Sequence, residues 1–324
     1  MPGPDPAADV RTEVRGRLRP AEADAVLRLL DRAADADGAL PLSEHVWLHL
    51  RHGGDPAARN VLLRSDGELA GYAHLDPTDA FEGSSAEVVV DPVHRSRGYG
   101  RTLVEQLIGL SPDGRLRLWS HGAHPAAERL AEGLGFDRAR VLWQMRRSLL
   151  APIPAAPLPD GVAVRTFVVA SDEDAWLEVN NRAFAEHPDQ SRWTRADLEV
   201  REREEWFDPA GFFLAERDGR LVGFHWTKVH GGSHVHAHDG GEHSHAHDHD
   251  AIGEVYVVGV DPAAQGIGLG PALTRVGLAH LRRLGLPQAM LYVEEDNTNA
   301  IRVYERLGFT RWATDVAYRR RLTD

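Results

Sequence analysis

The sequence contains no cysteine among its 324 residues. A disulfide scaffold, a thiolate metal site and a cysteine nucleophile are therefore excluded, and the composition fits a reducing cytosol. No apolar run approaches the ~20 residues that a membrane-spanning helix needs. The N-terminus has neither the basic start nor the apolar core of a secretory signal. We therefore expect a cytoplasmic protein that is neither secreted nor embedded in a membrane.

Basic side chains are also scarce. The 49 acidic residues exceed the 37 basic ones, so the formal net charge is −12, and Lys228 is the only lysine. No run of basic residues interrupts this acidic field, which repels phosphate backbones and anionic membranes. We therefore predict that neither nucleic acid nor a membrane surface is a partner.

The chain repeats one pattern at an interval of 170 residues. The motif Asp-Pro-x5-Gly-x-Gly occurs at residues 91–100 and again at residues 261–270. A Leu-Gly-Phe triplet also occurs twice, at residues 134–136 and 307–309. A period of this length indicates a duplicated domain rather than a solenoid of short repeats.

The length and one proline-rich segment agree with a division into two domains. A chain of 324 residues is long for a single core. Residues 151–159 carry four prolines, a composition typical of an extended, semi-rigid linker. We place the first domain at residues 11–150 and the second at residues 160–324.

Each half follows the same order of predicted elements. An amphipathic helix (residues 21–34 and 172–186) precedes a hairpin, whose turn is Asp66-Gly67 in one half and Asp218-Gly219 in the other. The strand that ends at Asp-Pro, the glycine loop and a second helix come next. Another strand and a final helix then lead to Leu-Gly-Phe. The order predicts an α/β fold, a mixed sheet flanked by helices, built twice.

The glycine loop has the chemistry of an anion cradle. Glycines remove Cβ atoms, so an anion can approach successive backbone N–H groups and the positive end of the following helix. Pro271 lies just inside that helix, where its missing N–H leaves no donor unpaired. The loop lacks the Walker pattern and the Gly-x-Gly-x-x-Gly pattern of dinucleotide folds. A phosphate or pyrophosphate ligand of another class is therefore indicated.

Two motifs of the second half resemble those of the GNAT superfamily of N-acetyltransferases. Gln265-x-x-Gly268-x-Gly270 resembles the superfamily's acetyl-CoA pyrophosphate loop. Asn297-x-x-Ala300-x-x-x-Tyr304-x-x-x-Gly-Phe strengthens the resemblance, because helical spacing places its small residue and its tyrosine on one face. The stretches 180–188, 252–262 and 291–297 are further similar to the mycothiol synthase family, and that similarity covers nearly the whole chain.

The resemblance implies an activity. Members of that family acetylate the cysteinyl amine of a cysteinyl-glucosaminyl-inositol, using acetyl-CoA as co-substrate. It implies direct transfer without a required metal, in a monomer. Glu254 is the implied general base, and Tyr304 is the implied acid for the departing thiolate.

The resemblance also implies binding residues. Those for acetyl-CoA are Val258, Gly259, Val260, Gln265, Gly266, Ile267, Gly268, Leu269, Gly270, Pro271, Asn297, Ala300 and Arg302 in the second half, and Val88, Val89, Val90, Arg95, Gly98 and Gly100 in the first. Those for the amine substrate are Glu44, Glu186, Lys228, Glu254 and Tyr292.

The two halves differ in their chemical equipment. The 170-residue offset places Ser84 opposite Glu254, and the Leu-Gly-Phe offset places Ala131 opposite Tyr304. The first domain is therefore predicted not to catalyse, and whether it binds CoA stays open. Glu87 is a weaker alternative base there, because it lies four residues before the Asp-Pro pair instead of seven.

A histidine tract and two other functions stay open. Eight histidines fall within residues 230–249, a spacing that could bind Zn²⁺ or Ni²⁺, although a polar loop without a function in catalysis is favoured. The alternative enzyme is a tandem acetyltransferase for another amine, such as an aminoglycoside, a polyamine or a peptide N-terminus. A non-catalytic acyl-CoA-binding or metal-storage protein belongs to a different class.

Overall fold

The computed structural model describes residues 9–52, 56–78, 83–122, 124–185, 193–230 and 251–322, without the side chains of Glu44 and His52. The chain forms two compact units. Unit 1 comprises residues 1–142 and 313–324, and unit 2 comprises residues 143–312. The chain thus passes into unit 2 within one strand and returns to unit 1 within its last strand. The proline-rich segment 151–159 follows the first of these crossings and lies within unit 2.

The first half contains six strands and four helices among its described residues. Its strands are β1 (Val10–Arg15), β2 (Arg59–Ser65), β3 (Glu68–Asp76), β4 (Ser84–Val90), β5 (Leu116–Ser120) and β6 (Phe136–Ser148). Its helices are α1 (Pro20–Asp37), α2 (Glu44–His52), α3 (Tyr99–Leu110) and α4 (Pro125–Gly133).

The second half repeats this inventory over its described residues. Its strands are β7 (Val162–Thr166), β8 (Phe212–Arg217), β9 (Arg220–His230), β10 (Ile252–Val260), β11 (Gln288–Glu294) and β12 (Thr310–Arg320). Its helices are α5 (Glu173–Ala183), α6 (Arg195–Glu202), α7 (Leu269–Arg283) and α8 (Thr298–Arg306). The mixed α/β class is therefore confirmed, and each half adds a strand after its final helix that the sequence pattern does not predict.

The sheet of unit 1 runs in the order β1-β2-β3-β4-β5-β12. Strands β4 and β5 are parallel, as expected where a helix connects two strands, whereas β1 with β2, β2 with β3, β3 with β4 and β5 with β12 are antiparallel. Helix α1 packs on one face through Val26 and Leu29, and α3 packs on the other through Leu103 and Leu107. Unit 1 is therefore a sheet between two helical layers.

The sheet of unit 2 runs in the order β6-β11-β10-β9-β8-β7, with β10 and β11 parallel. Aromatic residues fill the layer under α5, where Trp176 contacts Phe212, Phe224 and Trp226 at ring-centroid distances of 5.2–5.9 Å. Helix α7 packs on the opposite face through Leu278 and other leucines. The two units therefore share one architecture.

The predicted hairpin turns are confirmed. Asp66 and Gly67 have φ values of +52° and +85°, and Asp218 and Gly219 have +51° and +71°. Both central residues of a type I′ turn need positive φ, and Asp-Gly is a favoured pair there. Within the described residues, no helix is long and apolar enough to cross a membrane.

A buried ionic network ties the last strand to unit 1. His121 lies between two carboxylates, with Nδ1 at 3.0 Å from Asp315 of β12 and Nε2 at 3.4 Å from Glu87 of β4. Burial alone would lower the pKa of His121, but the hydrogen bonds and charges of Asp315 and Glu87 raise it to about 10. His121 is therefore a buried cation at neutral pH, held by two anions.

We predict that His121→Gln lowers the free energy of unfolding by roughly 3 kcal/mol at pH 6, because two carboxylates lose their buried partner. The pKa of His121 is raised in the folded state, so the imidazolium contributes fully below about pH 6.5 and loses its contribution as the pH rises through about 10. Denaturant unfolding of both proteins between pH 6 and pH 10 should show the difference shrinking. The exposed pair of His45 with Asp76 is the control, and His45→Gln should cost less than about 1 kcal/mol.

Candidate active site

Strand β10 leaves its parallel partner partway along its length. Its register with β11 covers only Ile252 to Glu254, although β10 continues to Val260. Its other edge stays paired with β9 as far as Val260, with a bulge between Val255 and Val257. A bulge bends a strand and disrupts the local ladder. The edge of β10 that faces β11 is therefore unpaired beyond Glu254, which creates a wedge between the two strands.

Backbone N–H groups point into this wedge. The N–H of Asp261 donates to the carbonyl of Val222, at the end of β10 that pairs with β9. Because N–H groups alternate between the two edges of a strand, those of Val258 and Val260 point toward the other edge. The wedge therefore offers donors to a carbonyl oxygen placed between β10 and β11.

The glycine loop follows the wedge directly. Gly266 and Gly268 have φ values of +81° and +85°, and a Cβ on either residue would meet no protein atom within 4 Å. Helix α7 begins at Leu269, so Gly270 and Pro271 lie in its first turn. The loop thus presents the N-terminus of α7 without side-chain cover, as an anion requires.

Unit 1 keeps the same loop conformation with different side chains. Ser96 stands where the second copy has Gly266, yet its φ is +62°, a conformation that side chains rarely adopt. The Arg95 guanidinium makes two hydrogen bonds to Asp37, at 2.6 and 2.7 Å. The hydrogen bond to Asp37 is also the largest influence on Arg95 and raises its pKa. Arg95 is therefore already paired with a carboxylate inside unit 1.

The motif helix α8 lies after β11. Asn297 caps it, since its side-chain oxygen accepts from the N–H of Ala300 at 3.1 Å. Gly308 ends it with a φ of +89°, and the N–H of Phe309 donates to the carbonyl of Tyr304. Tyr304 belongs to the same hydrophobic cluster as Val255 and Val258 of β10. Burial raises the pKa of Tyr304 to about 12, so its hydroxyl stays protonated at neutral pH.

Glu254 occupies the last paired position before the wedge. It is 7% exposed, and its Oε2 lies 2.5 Å from Nε2 of His230. Lys228 pairs with Glu254 across the strands, and Met290 pairs with it on β11. A buried carboxylate that keeps a hydrogen-bonded partner at the mouth of a donor-lined wedge is suited to act as a base.

Lys228 rests on aromatic rings. Its Nζ lies 4.3 Å from the ring centroid of Trp206 and 5.3 Å from that of Tyr256. The Tyr256 hydroxyl in turn accepts from Nε of Arg201 at 2.8 Å. Cation–π contact holds an ammonium in place without neutralising it. The sole lysine thus brings positive charge to the strand beside Glu254.

The remaining predicted substrate residues are placed less completely. The exposed Tyr292 of β11 accepts a hydrogen bond from Gln144 at 2.8 Å. Glu44 begins α2 in unit 1, but its side chain lies outside the described residues. Glu186 and residues 231–250, with all of the histidine tract except His230, also lie outside them. Of the described residues, no group of three or more His, Asp or Glu could hold a metal ion.

The bulge corrects the alignment of the two halves. Asp76 and Lys228 each lie five residues after the glycine that matches between β3 and β9, and they pair with Ser85 and Glu254 respectively. The counterpart of Glu254 is therefore Ser85, and the expectation of Ser84 is wrong by one residue. The reason is the extra residue that the bulge inserts in β10.

Glu87, the alternative base, has its carboxylate committed elsewhere. It accepts hydrogen bonds from the N–H and hydroxyl of Ser43 at 2.6 and 2.5 Å, besides its contact with His121. Burial would raise the pKa of Glu87, but His121 and Ser43 together lower it. Both oxygens of the Glu87 carboxylate are therefore engaged by partners within unit 1.

Three contributors to the site were not predicted. Trp206 and Tyr256 seat Lys228, and His230 holds Glu254. His230 and Lys228 share a strand face by their spacing of two, which is a weak signal in the sequence. The contact with Glu254 depends on the register between β9 and β10. That register cannot be read from the sequence, because 21 residues separate His230 from its partner Ile252.

We predict that Gly268→Ala raises the KM for acetyl-CoA about tenfold, because a Cβ at positive φ costs about 1 kcal/mol and covers the N-terminus of α7. Gly219→Ala is the matched control, since Gly219 also has positive φ and open surroundings but lies in a hairpin turn. Steady-state kinetics and thermal unfolding of both variants check this. If both variants lost similar stability and Gly268→Ala kept the KM of the unaltered protein, the proposed role of the glycine loop would be contradicted.

Comparisons with known proteins identify the family of this chain. The model of the Acetyltransferase (GNAT) family matches residues 25–136 and 175–309. A mycothiol acetyltransferase from Streptosporangium roseum is 53% identical over 96% of this chain and 100% of its own length. One from Acidothermus cellulolyticus is 56% identical over 97% and 95%.

Solved structures share the fold. A GCN5-related N-acetyltransferase from Sphaerobacter thermophilus is 27% identical, with a TM-score of 0.67 over 97% of each chain. A tandem GNAT protein from the clavulanic acid biosynthesis pathway is 20% identical, with a TM-score of 0.70 over 98% of this chain and 100% of that one. The chain therefore belongs to the GNAT acetyltransferase family and, within it, to the family of the mycothiol acetyltransferases.

Proposed function

We propose that this N-acetyltransferase moves the acetyl group of acetyl-CoA to the cysteinyl amine of cysteinyl-glucosaminyl-inositol and so forms mycothiol. The position of Glu254 carries the proposal, because a buried carboxylate lies where β10 leaves β11 and donors begin. The relatives named mycothiol acetyltransferases, which match nearly the full chain, support this substrate. The names of these relatives indicate a small-molecule substrate.

The proposed chemistry is direct transfer. Glu254 takes a proton from the substrate ammonium. The pKa of an α-ammonium group is only about 8, so its deprotonation does not require a strong base. The free amine attacks the thioester carbon, and the carbonyl oxygen gains the negative charge. The N–H groups of Val258 and Val260 stabilise that charge in the wedge. Collapse of the tetrahedral intermediate breaks the C–S bond and releases the CoA thiolate. The nitrogen gives up its second proton in the same step, which balances the proton that the thiolate takes up.

Tyr304 is the proposed acid. Its burial, which raises its pKa to about 12, keeps the proton on the hydroxyl until a stronger base than water is present. The departing thiolate is that base, and it receives the proton as the C–S bond breaks. Ala300, one turn earlier on α8, leaves room beside it for the pantetheine chain.

The glycine loop is the proposed seat of the CoA pyrophosphate. Gln265, Gly266, Ile267, Gly268, Leu269 and Gly270 supply the backbone of this loop, and Val258 to Val260 with Asn297 and Arg302 complete the proposed cofactor site. The open space over Gly266 and Gly268 supports this assignment. The N-terminus of α7 would face the phosphates.

Substrate recognition is proposed to use charge and hydroxyl contacts. Lys228 and Tyr292 would contact the acceptor from β9 and β11, and Glu44 and Glu186 would bind its polar groups. Unit 1 is proposed to be non-catalytic, a view that the commitment of Glu87 to Ser43 and His121 supports. We further propose that the protein is a cytoplasmic monomer with no nucleic-acid or membrane partner. Size-exclusion chromatography with light scattering would measure its mass in solution and so test the monomeric state.

The decisive experiment incubates the protein with acetyl-CoA and cysteinyl-glucosaminyl-inositol, and detects the N-acetylated product by mass. We expect acetylation of the cysteinyl nitrogen. Acetylation of an aminoglycoside, a polyamine or a peptide instead would leave the family assignment intact and overturn this substrate.

We predict that Glu254→Gln lowers kcat about 10²- to 10⁴-fold, because the amide cannot accept the ammonium proton. The affinity for acetyl-CoA, measured by equilibrium binding, should stay within about twofold, since the variant keeps the shape of the site. Glu178→Gln, at an exposed position on α5, is the matched control. Turnover that survives Glu254→Gln would refute the assignment of this base.

A further inference from the structure

His230 is placed to control the carboxylate of Glu254. Its Nε2 lies 2.5 Å from Oε2 of Glu254, a short separation for a charge-assisted hydrogen bond. An ionised carboxylate can only accept hydrogen bonds, so with Glu254 as the base the donor is the Nε2–H of His230. The Oε2 atom of the carboxylate is thereby fixed in position.

The strand register makes this contact specific. His230 pairs with Ile252 and Lys228 pairs with Glu254, so His230 reaches Glu254 diagonally across β9 and β10. Diagonal neighbours on one sheet face lie within reach of long and aromatic side chains. The ring therefore comes from a paired position at the end of a strand, and both backbones are held by the ladder.

Exposure differs between the two partners. The Glu254 side chain is 10% exposed, whereas the His230 side chain is 26% exposed. A buried polar group is costly unless it has hydrogen-bond partners. His230 supplies one from the solvent side of the pair.

The neighbours of Glu254 on the adjacent strands differ in charge. Lys228 on β9 provides a cation at the cross-strand position, while Met290, the partner on β11, carries no charge. On β10 itself, Tyr256 is engaged with Arg201 and with Lys228. His230 adds a hydrogen bond to the carboxylate from the same strand as Lys228.

We propose that His230 is a positioning residue for the acetyl-transfer reaction: by donating from Nε2 to Oε2, it fixes the Glu254 carboxylate and orients it toward the amine of the substrate. The inference rests on the proposed function of Glu254 as base. His230 touches neither substrate nor cofactor in this role, and no proton of the reaction passes through it.

The test compares His230→Ala with His230→Gln in the full-length protein. Glutamine keeps an N–H donor at about the position of Nε2, whereas alanine removes it. We expect His230→Ala to lower kcat about 10- to 100-fold through misorientation of the base, with an unchanged KM for acetyl-CoA. His230→Gln should recover most of the loss.

The split between kcat and KM supplies the readout that a purely structural role would not move. A distorted site should raise the KM for acetyl-CoA and lower kcat together, whereas a base that has lost only its orientation should lower kcat alone. Equal kcat in the alanine variant, or equal losses in both variants, would overturn the proposal.

Two controls separate the possible failures. His124→Ala removes a half-exposed histidine that lies 3.6 Å from a carboxylate in unit 1, and it should change neither kcat nor the KM for acetyl-CoA. Thermal unfolding identifies a variant that fails to fold, and the rescue by glutamine is then the deciding comparison. If the wild type acetylates glucosamine but not cysteinyl-glucosaminyl-inositol, the proposed substrate fails, and the same variants tested on glucosamine still decide the role of His230.

Discussion

The bulge in β10 is the constraint on which the site of unit 2 depends. Strand β10 carries one extra residue between Val255 and Val257. One edge of the strand stays hydrogen-bonded to β9 as far as Val260, whereas the other edge leaves β11 beyond Glu254. A sheet normally satisfies every backbone donor internally, so donors are freed only where pairing ends. The freed N–H groups, the buried Glu254 and the start of the glycine loop all lie along that one departure.

Unit 1 has the same frame without the bulge. Its strand β4 stays paired with β5 as far as Glu87 and leaves it only over the last three residues, up to Val90. The carboxylate of Glu87 is engaged by Ser43 and His121. Arg95 of its loop is likewise paired with Asp37. In unit 2 a carboxylate, that of Glu254, lies at the mouth of the wedge, whereas in unit 1 Glu87 and Arg95 are engaged in contacts within the unit. The positive φ of Ser96 indicates that the loop shape persists although its side chain would favour another.

The sequence predicts the parts of this fold whose signals are local. Asp-Gly pairs specify the hairpin turns, and the spacing from Asn297 to Gly308 specifies a capped helix, because each needs only neighbouring residues. Signals that depend on register are not visible in this way. The bulge displaces the counterpart of Glu254 from Ser84 to Ser85, and the contact of His230 with Glu254 joins residues 24 positions apart. The exchange of the last strand into unit 1 depends on contacts such as His121 with Asp315, almost 200 residues apart.

The proposed acid, Tyr304, raises the question of how its pKa compares with that of the thiol whose anion it would protonate. A tyrosine with a pKa of about 12 is a weak acid beside a thiolate whose ordinary pKa is about 8.5. The burial that raises the pKa of Tyr304 acts equally on any thiolate beside it, since burial disfavours each anion. A thiolate that leaves in the wedge would therefore be more basic than in water, and the difference between its pKa and that of Tyr304 would narrow. In the proposed reaction, the hydrophobic cluster around Tyr304, Val255 and Val258 would contribute by excluding water from the place where the proton is transferred.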